Sequence, residues 1–369
     1  MNERPHLTER LERLAWELCQ TDLDAYICSS PITLGYQLGF FEDGLERFLV
    51  FIVNREGRTC MICPSLTKTQ ARRCGVREII TWRDGEDPMI LFRRLLNDWG
   101  LESGKLAVDS DMAASQLLEM QKALPRVTFS SGQPIMSRLM STKTETEIEL
   151  LLKAGKIADD TFQIALPRIQ PGMTELNVAG ILREAMFQLG GMPTFSIVAA
   201  GSNGAEPHHL PNGTKINKGD ALILDFGCNF SGYQSDITRT VFLGRAHREL
   251  KDIYNIVFQA QLAGRAAIRP GVPCQDIDRS TRKVITDAGY GPNFLHRTGH
   301  GIGMRGHEDP YIVEGNALPL ASGHCISIEP GIYLAERFGV RIENCVVCTP
   351  DGHLSLNAEP SSEIIEICN

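Results

Sequence analysis

The sequence predicts an α+β protein of two domains, an N-terminal α/β domain and a C-terminal domain that contains one structural unit twice. Three observations support this prediction. The chain has 369 residues, more than a single hydrophobic core usually organises. Helix-like and strand-like segments alternate along its first third. Motifs of the remaining part recur in the same order further along the chain.

Residues 1–135 are expected to form the first domain, because amphipathic helices alternate there with short apolar strands. Helices are predicted at Leu7–Leu18, Leu66–Arg73, Pro88–Asn97 and Met112–Ala123. Strands are predicted at Asp24–Cys28, Phe48–Val53, Thr59–Cys63, Glu78–Thr81 and Lys105–Val108. A break in regular structure is predicted at Gly132–Ser141, so the second domain covers residues 140–369.

The second domain is predicted to open with a long helix at Glu145–Ala165, because Thr144 and Glu147 have the spacing of a capping box. A duplication follows. Ile169-Gln170-Pro171-Gly172 returns ninety-nine residues later as Ile268-Arg269-Pro270-Gly271. The spacing Gly219…Asp225 recurs as Gly323…Glu329. Each copy predicts a turn, a helix, a strand and a hairpin with an acidic residue in its first strand.

Carboxylates lie in segments that read as buried strands. Asp225 interrupts the apolar run Ala221–Gly227, and a buried carboxylate needs a partner. Folding the hairpin about a turn at Asn229–Gly232 places Asp236 opposite Asp225. In the second copy, Glu343 is predicted to face Glu329 across a loop centred on Glu336.

Like charges directly opposite each other destabilise a sheet, so cations are expected between these acids. Oxygen-rich sites of this kind suit manganese, cobalt or zinc. The alternative is that ordinary ion pairs neutralise them, Asp236 with Arg239 and Glu343 with Arg341.

Three histidines are candidates for the same site. His300 lies among glycines in Thr298-Gly299-His300-Gly301-Ile302-Gly303, and glycine permits close approach of the backbone at a crowded centre. His307 follows in Gly306-His307-Glu308-Asp309-Pro310, and His208 precedes the first acidic hairpin. The other histidines, including His209 and His296, are assigned ordinary structural roles.

Composition excludes other classes. Lys and Arg number 37 and Asp and Glu 45, a net charge of −8, and no basic run points to nucleic acid. No apolar run approaches the roughly 20 residues of a membrane span. The charged N-terminal segment has no apolar signal-sequence core, and the eleven cysteines show no disulfide framework. A cytoplasmic location is therefore expected.

The motifs LDFG, DxTRT, GHGIG with its following histidine, EPG and RIEN together resemble the prolidase, aminopeptidase P and methionine aminopeptidase superfamily. The resemblance covers residues 140–369 and implies the pita-bread fold, two pseudo-symmetric halves around a dinuclear metal site. Residues 1–135 are similar to the creatinase-type N-terminal domain of prolidases, which plain methionine aminopeptidases usually lack.

The resemblance also implies roles for individual residues. Two divalent metal ions, Mn²⁺ first and Co²⁺ or Zn²⁺ as alternatives, would be bound by Asp225, Asp236, His300, Glu329 and Glu343, with Asp236 and Glu343 bridging. Glu329 would move the proton from the nucleophile to the leaving nitrogen. His208 and His307 would hold the substrate and its developing oxyanion. Arg341 would steady the carboxylate of Glu343 and border the substrate.

The function implied is that of an Xaa-Pro dipeptidase, a homodimer that cleaves short proline-containing peptides. One departure keeps alternatives open. Many prolidases have an arginine after His-Glu-x-Pro to meet the dipeptide's carboxylate, and this chain has Tyr311. Arg297, Arg305 or Arg337 would have to substitute. An Xaa-Pro aminopeptidase for longer peptides, a non-peptidic pita-bread amidohydrolase and a non-enzymatic binding module are the alternatives.

Overall fold

The computed structural model describes residues 5–368; Met1–Arg4 and Asn369, at the outer ends of the two predicted domains, lie outside the described residues. The chain divides into two compact units, the first ending at Met140 and the second beginning at Ser141. Among the described residues, no helix combines the length and the apolar character needed to cross a membrane.

The first unit contains a mixed sheet. Its helices are α1 (Pro5–Cys19), α2 (Pro31–Leu38), α3 (Lys68–Arg73), α4 (Pro88–Asp98), α5 (Ala114–Ala123) and α6 (Gln133–Ser141). Its strands are β1 (Ala25–Cys28), β2 (Val50–Asn54), β3 (Thr59–Pro64), β4 (Ile79–Trp82), β5 (Lys105–Val108) and β6 (Thr128–Ser131). The strand order is β4-β3-β2-β1-β5-β6, with β1–β2 and β2–β3 antiparallel and the other pairs parallel.

Two helices of this unit are absent from the sequence prediction. The predicted break at Gly132–Ser141 is wrong, because α6 occupies most of it and buries Ile135, Met136, Leu139 and Met140. Those residues have the spacing of one helix face, which the prediction overlooked. The other is α2, where Ser30 caps the first turn and Gly39 ends the helix in the left-handed conformation.

The second unit is built around two larger sheets and a hairpin. Its helices are α7 (Glu145–Ala165), α8 (Glu175–Gln188), α9 (Arg248–Ala266) and α10 (Cys274–Asp287). Its strands are β7 (Met192–Ala200), β8 (Ala221–Phe230), β9 (Tyr233–Gln234), β10 (Ile237–Leu243), β11 (Gly299–Gly301), β12 (Glu308–Ile312), β13 (Cys325–Ile328), β14 (Gly331–Leu334), β15 (Phe338–Arg341), β16 (Asn344–Thr349), β17 (Gly352–Ser355) and β18 (Ile365–Ile367).

The order of elements in the second unit follows the predicted duplication. The helices α7 and α8 precede a sheet of order β18-β10-β8-β7, in which β9 also pairs with β8. The helices α9 and α10 precede a sheet of order β12-β11-β13-β16-β17, and β14 pairs with β15 as a separate hairpin. The capping box of Thr144 and Glu147 at the start of α7 is confirmed, since both of its reciprocal hydrogen bonds are present.

The predicted register of the first acidic hairpin is wrong by two residues. Thr238, and not Asp236, lies opposite Asp225. The chain reverses in a tighter turn than the predicted one, because Ser231 and Gly232 both take positive φ angles, 51° and 94°. A shift of two residues preserves the face on which a side chain lies, so Asp225 and Asp236 still point to the same side of the sheet.

The register predicted for the second hairpin is confirmed. Leu334 pairs with Phe338 and Gly331 with Arg341 on one side of the two acids, and Ile328 pairs with Asn344 on the other. Glu329 and Glu343 therefore lie opposite each other between these two ladders.

Candidate active site

Carboxylates from both large sheets meet inside the second unit. Asp225 lies on β8, Asp236 just before β10, Glu329 after β13 and Glu343 before β16. An isolated β-bridge between Thr238 and Glu343 joins the two regions. Ligand-type oxygen atoms of Asp225, Asp236 and Glu343 lie within 4.8 Å of one another, and atoms of His300, Glu329 and Glu343 satisfy the same limit.

The cluster contains more negative charge than the protein neutralises. Burial, followed by the charge of Glu343, raises the pKa of Asp236 well above its usual range, and burial followed by the charge of Glu329 does the same for Glu343. Burial raises the pKa of Glu329 to about 7. The guanidinium of Arg341 contacts this cluster of carboxylates through Asp225. The site therefore needs additional positive charge to hold its carboxylates ionised.

The donor atoms fit divalent cations. The Oδ1 atoms of Asp225 and Asp236 and the Oε1 atom of Glu343 are buried without a hydrogen-bond partner. A buried acceptor without a partner loses its hydrogen bonds to water and gains none in the protein, so native proteins contain few of them. Three such oxygens pointing into one cluster, with an imidazole beside them, form the donor set of hard or borderline divalent metals.

His300 has the tautomer of a metal ligand. Its Nδ1 atom lies 3.0 Å from the carbonyl oxygen of Gly301 and donates to it, so Nε2 carries the lone pair. That Nε2 atom lies 3.4 Å from Oε1 of Glu329 and 3.8 Å from Oδ2 of Asp236. Burial lowers the pKa of His300 to about 3, which keeps the ring neutral.

The glycines around His300 are required by close packing. A Cβ atom on Gly299 would lie 1.9 Å from the carbonyl oxygen of Ser327, and one on Gly301 would lie 2.3 Å from that of Asp309. Larger residues would push β11 away from its neighbours, so glycine keeps His300 at the level of the carboxylates.

Arg341 contacts a different acid from the one expected. Its Nη2 atom donates to Oδ2 of Asp225 at 2.5 Å. Its link to Glu343 passes through Thr238, whose Oγ1 accepts from Nε of Arg341 at 3.2 Å and donates to Glu343 at 2.7 Å. The predicted support of Glu343 by Arg341 therefore passes through Thr238, and Asp225 is the acid that Arg341 contacts itself. The sequence prediction did not include Thr238 in the site.

A cavity of about 730 Å³ opens beside the carboxylates, a volume within the range of small-ligand pockets. All eight residues predicted for the site border it. They are Asp225, Asp236, Glu329, Glu343, His300, Arg341, His208 and His307. The ring of His307 packs on that of His300 with centroids 3.8 Å apart. Ligand-type atoms of His307, Asp236 and His300 also lie within 4.8 Å of one another.

His296 also borders the cavity, contrary to the ordinary role that the sequence suggested. The hydroxyl of Tyr333 accepts from Arg341 and donates to Nε2 of His296, with both distances 2.8 Å. Nδ1 of His296 then donates to the carbonyl oxygen of Arg297 at 2.8 Å. Burial lowers the pKa of His296 to about 4. Its position four residues before His300 was the available signal.

Among the three arginines considered for the substrate carboxylate, Arg297 borders the cavity. Its guanidinium lies over the ring of Tyr311 at 4.6 Å, and its Nη2 atom donates to Nδ1 of His307 at 3.0 Å. Burial and Arg297 lower the pKa of His307. Arg337 is instead exposed and pairs with Glu249, and Arg305 does not border the cavity.

Comparisons with known proteins place these features in a family. Residues 149–350 match metallopeptidase family M24, and residues 10–139 match the creatinase/prolidase N-terminal domain. The chain is 36% identical over 353 residues to a protein described as a probable dipeptidase, PepE, from Mycobacterium tuberculosis, covering 93% of each. It is 36% identical over 354 residues to an Xaa-Pro dipeptidase of Lactobacillus delbrueckii, covering 93% of this chain and 95% of that one.

A solved structure is similar over nearly the whole chain. The crystal structure of a dipeptidase from Pyrococcus horikoshii has a TM-score of 0.93 and 34% identity, covering 97% of this chain and 100% of that one. The fold predicted from the motifs is thereby confirmed.

Proposed function

Since this chain belongs to metallopeptidase family M24 and carries the family's creatinase/prolidase-type N-terminal domain, we propose that it is an Xaa-Pro dipeptidase. It is a metal-dependent peptidase. The observation that supports a dipeptide substrate is the similarity of nearly the whole chain to proteins described as dipeptidases, one of them an Xaa-Pro dipeptidase. On this proposal residues 140–369 form the catalytic domain and residues 1–135 the accessory domain.

We assign the metal ligands to Asp225, Asp236, His300, Glu329 and Glu343, and Mn²⁺ is the proposed ion. The three buried carboxylate oxygens without partners support this assignment. When bound, a pair of divalent ions supplies Lewis acidity, lowering the pKa of water toward neutrality and polarising a carbonyl oxygen. The neutral ring of His300 suits a metal ligand, because only unprotonated imidazole binds a metal.

The remaining chemistry falls to side chains at the cavity wall. Glu329 would take the proton of the attacking water and deliver it to the leaving nitrogen. His208 and His307 would donate hydrogen bonds to the substrate's carbonyl oxygen, where charge develops during the reaction. The proline nitrogen carries no hydrogen in the substrate, and like any leaving amide nitrogen it must take up a proton as the bond breaks. Arg341 would hold Asp225 rather than touch the substrate, since its donors are occupied within the protein.

Arg297 is the proposed partner of the substrate's free carboxylate. It borders the cavity, and its aromatic neighbour Tyr311 occupies the position where many prolidases carry arginine. An arginine held over an aromatic ring can offer the donors of its planar fork to a carboxylate, here those other than the Nη2 group that meets His307. This favours dipeptides over longer peptides, because proline itself carries the free carboxylate only in an Xaa-Pro dipeptide.

Location and assembly are part of the proposal. The cysteines of residues 5–368 are all free thiols, in keeping with a reducing compartment such as the cytoplasm. A homodimer is proposed from the family resemblance alone.

The test is a metal-dependent assay. The metal-depleted protein is supplied with Mn²⁺, Co²⁺ or Zn²⁺ and offered Xaa-Pro, Xaa-Pro-Yaa and Xaa-Ala peptides at equal concentration. We expect release of the first amino acid from Xaa-Pro and two metal ions per chain by elemental analysis. Asp236→Ala should lose both the cleavage activity and the bound metal. Faster cleavage of Xaa-Pro-Yaa would favour an aminopeptidase instead. Bound metal without cleavage of any proline peptide would contradict the proposal.

A further inference from the structure

The two non-ligand histidines at the cavity wall occupy equivalent places in the duplicated unit. His208 and His307 are ninety-nine residues apart, the same separation as the two Pro-Gly turns. Both histidines are exposed at the cavity, whereas the residue that follows each of them is buried. His209 is 8% exposed and Glu308 is 7% exposed, and neither borders the cavity. Each of these two buried residues forms a polar pair with a distant part of the chain.

In the first copy the partner is Glu175, at the start of α8. Its carboxylate is fully buried and receives four hydrogen bonds. Oε1 accepts from the backbone N–H of Ala200 and from Asn203 Nδ2, both at 2.9 Å. Oε2 accepts from Nε2 of His209 at 2.8 Å and from the backbone N–H of Asn212 at 3.1 Å.

All four donors belong to residues 200–212, the connection that carries His208. Beyond Ala200, the last residue of β7, this connection contains one short 3₁₀ helix, Gly201–Ala205, and no strand. A segment with so little backbone hydrogen bonding of its own is held by whatever binds its polar groups. One buried carboxylate therefore fixes both flanks of His208.

In the second copy the partner of Glu308 is Lys143. Nζ of Lys143 lies 2.5 Å from Oε1 of Glu308, and the Lys143 side chain is 1% exposed. Oε2 of Glu308 accepts from the backbone N–H of Arg305 at 3.3 Å, which closes the turn leading to His307. A Cβ atom on Gly303 would lie 2.6 Å from Oε1 of Glu308. The last glycine of the GHGIG motif thus leaves room for this pair.

We propose that His209 and Glu308 are positioning residues that hold His208 and His307 at the cavity wall through the buried pairs Glu175–His209 and Lys143–Glu308. The proposal rests on the proposed function, in which those two histidines contact the substrate. A displacement of about 1 Å in a group that contacts the reacting atoms can lower the rate by roughly 100-fold. The pairs prevent such displacement although they do not touch the substrate.

Double-mutant cycles test this, because residues that act through one another give non-additive effects. Glu175→Gln and Glu308→Gln should each lower kcat by roughly 10- to 100-fold without changing the metal content. Added to His208→Ala, Glu175→Gln should cause no further loss beyond about threefold, and Glu308→Gln added to His307→Ala should behave alike. In the crossed combinations the two losses of kcat should multiply. These combinations are Glu175→Gln with His307→Ala and Glu308→Gln with His208→Ala.

The matched control is Glu184→Gln, on the same helix as Glu175 but in an exposed pair with Arg168, and it should retain wild-type kcat. If Glu175→Gln fails to fold, His209→Leu replaces it in the cycle, and His209→Gln should restore activity by keeping a donor near Glu175. Multiplicative losses in the same-copy doubles, or equal coupling in the crossed doubles, would overturn the inference. A wild-type protein that cleaves no proline peptide would instead refute the proposed function.

Discussion

The guanidinium of Arg341 lies 2.5 Å from Oδ2 of Asp225 and reaches Glu343 through the hydroxyl of Thr238. One guanidinium therefore orients carboxylates from both copies of the duplicated unit. Arg341 is 2% exposed, so removal of its charge would leave Asp225 without a counter-charge in a buried position.

Arg341→Lys should weaken metal binding by roughly 10- to 100-fold, because lysine keeps the charge but not the planar fork that meets Asp225 and Thr238 together. Titration of the metal-depleted protein with Mn²⁺, followed by calorimetry, measures this. Arg337→Lys, at an exposed ion pair, is the control and should bind metal normally. Equal affinities of the Arg341 variant and the wild type would show that Arg341 does not orient the ligands.

Arg297→Gln should lower kcat/KM for Xaa-Pro dipeptides by about 100-fold relative to the same dipeptides with an amidated C-terminus. The reason is that only the free carboxylate loses its charged partner. The ratio of the two kcat/KM values is the readout, and Arg337→Gln should leave it unchanged. An equal loss for both substrates would mean that Arg297 acts on His307 rather than on the carboxylate.

Gly299→Ala should destabilise the second unit by about 3 kcal/mol, because the new methyl group meets the backbone of Ser327 at 1.9 Å. A loss of that size lowers the midpoint of thermal unfolding by roughly 6–12 °C in a unit of this length. Gly306→Ala is the matched control, since a Cβ atom there has no neighbour within 4 Å. Calorimetry compares the two variants, and equal midpoints would contradict the packing argument.

His324 should make the stability of the second unit depend on pH. Burial lowers its pKa to about 4, below the value of about 6.5 in an unfolded chain. The unfolded state therefore binds the proton more tightly, so stability is full above pH 6.5 and is lost as the pH falls toward 4. Nδ1 of His324 accepts from the backbone N–H of Ala321 at 3.2 Å, a bond that requires the neutral ring.

The matched variant is His324→Asn, whose side-chain oxygen can accept the same hydrogen bond and does not titrate. Between pH 7 and pH 5 the wild type should lose about 2 kcal/mol more free energy of unfolding than the variant. Denaturant titration at both pH values gives the difference. If both proteins lose the same amount, His324 does not control this dependence.

Local sequence signals predicted most elements, as α7 and β5 illustrate. The capping box fixes the first residue of α7, and β5 occupies the predicted residues Lys105–Val108. The two acidic hairpins show where such reasoning ends. The loop at Glu336 was placed correctly, whereas a two-residue turn at Ser231-Gly232 shifted the partner of Asp225 from Asp236 to Thr238. Register depends on turn geometry, which composition alone does not determine.

Contacts between distant residues of the second unit escaped prediction for another reason. Lys143 and Glu308 are 165 positions apart, and Glu175 and His209 are 34 apart. A lysine and a glutamate in a sequence read as surface residues unless the fold that buries them is known. His296 was likewise assigned an ordinary role, since its partner Tyr333 is 37 residues away.

The isolated bridge between Thr238 and Glu343 lies where the two copies of the duplicated unit meet, and the proposed metal ligands come from both sides of it. On the proposed ligand assignment, an ion bound there would join the two copies and would have to leave before they separate. The midpoint of thermal unfolding should therefore rise with the logarithm of free Mn²⁺ concentration. Metal occupancy can then be followed by thermal unfolding, without any peptide substrate.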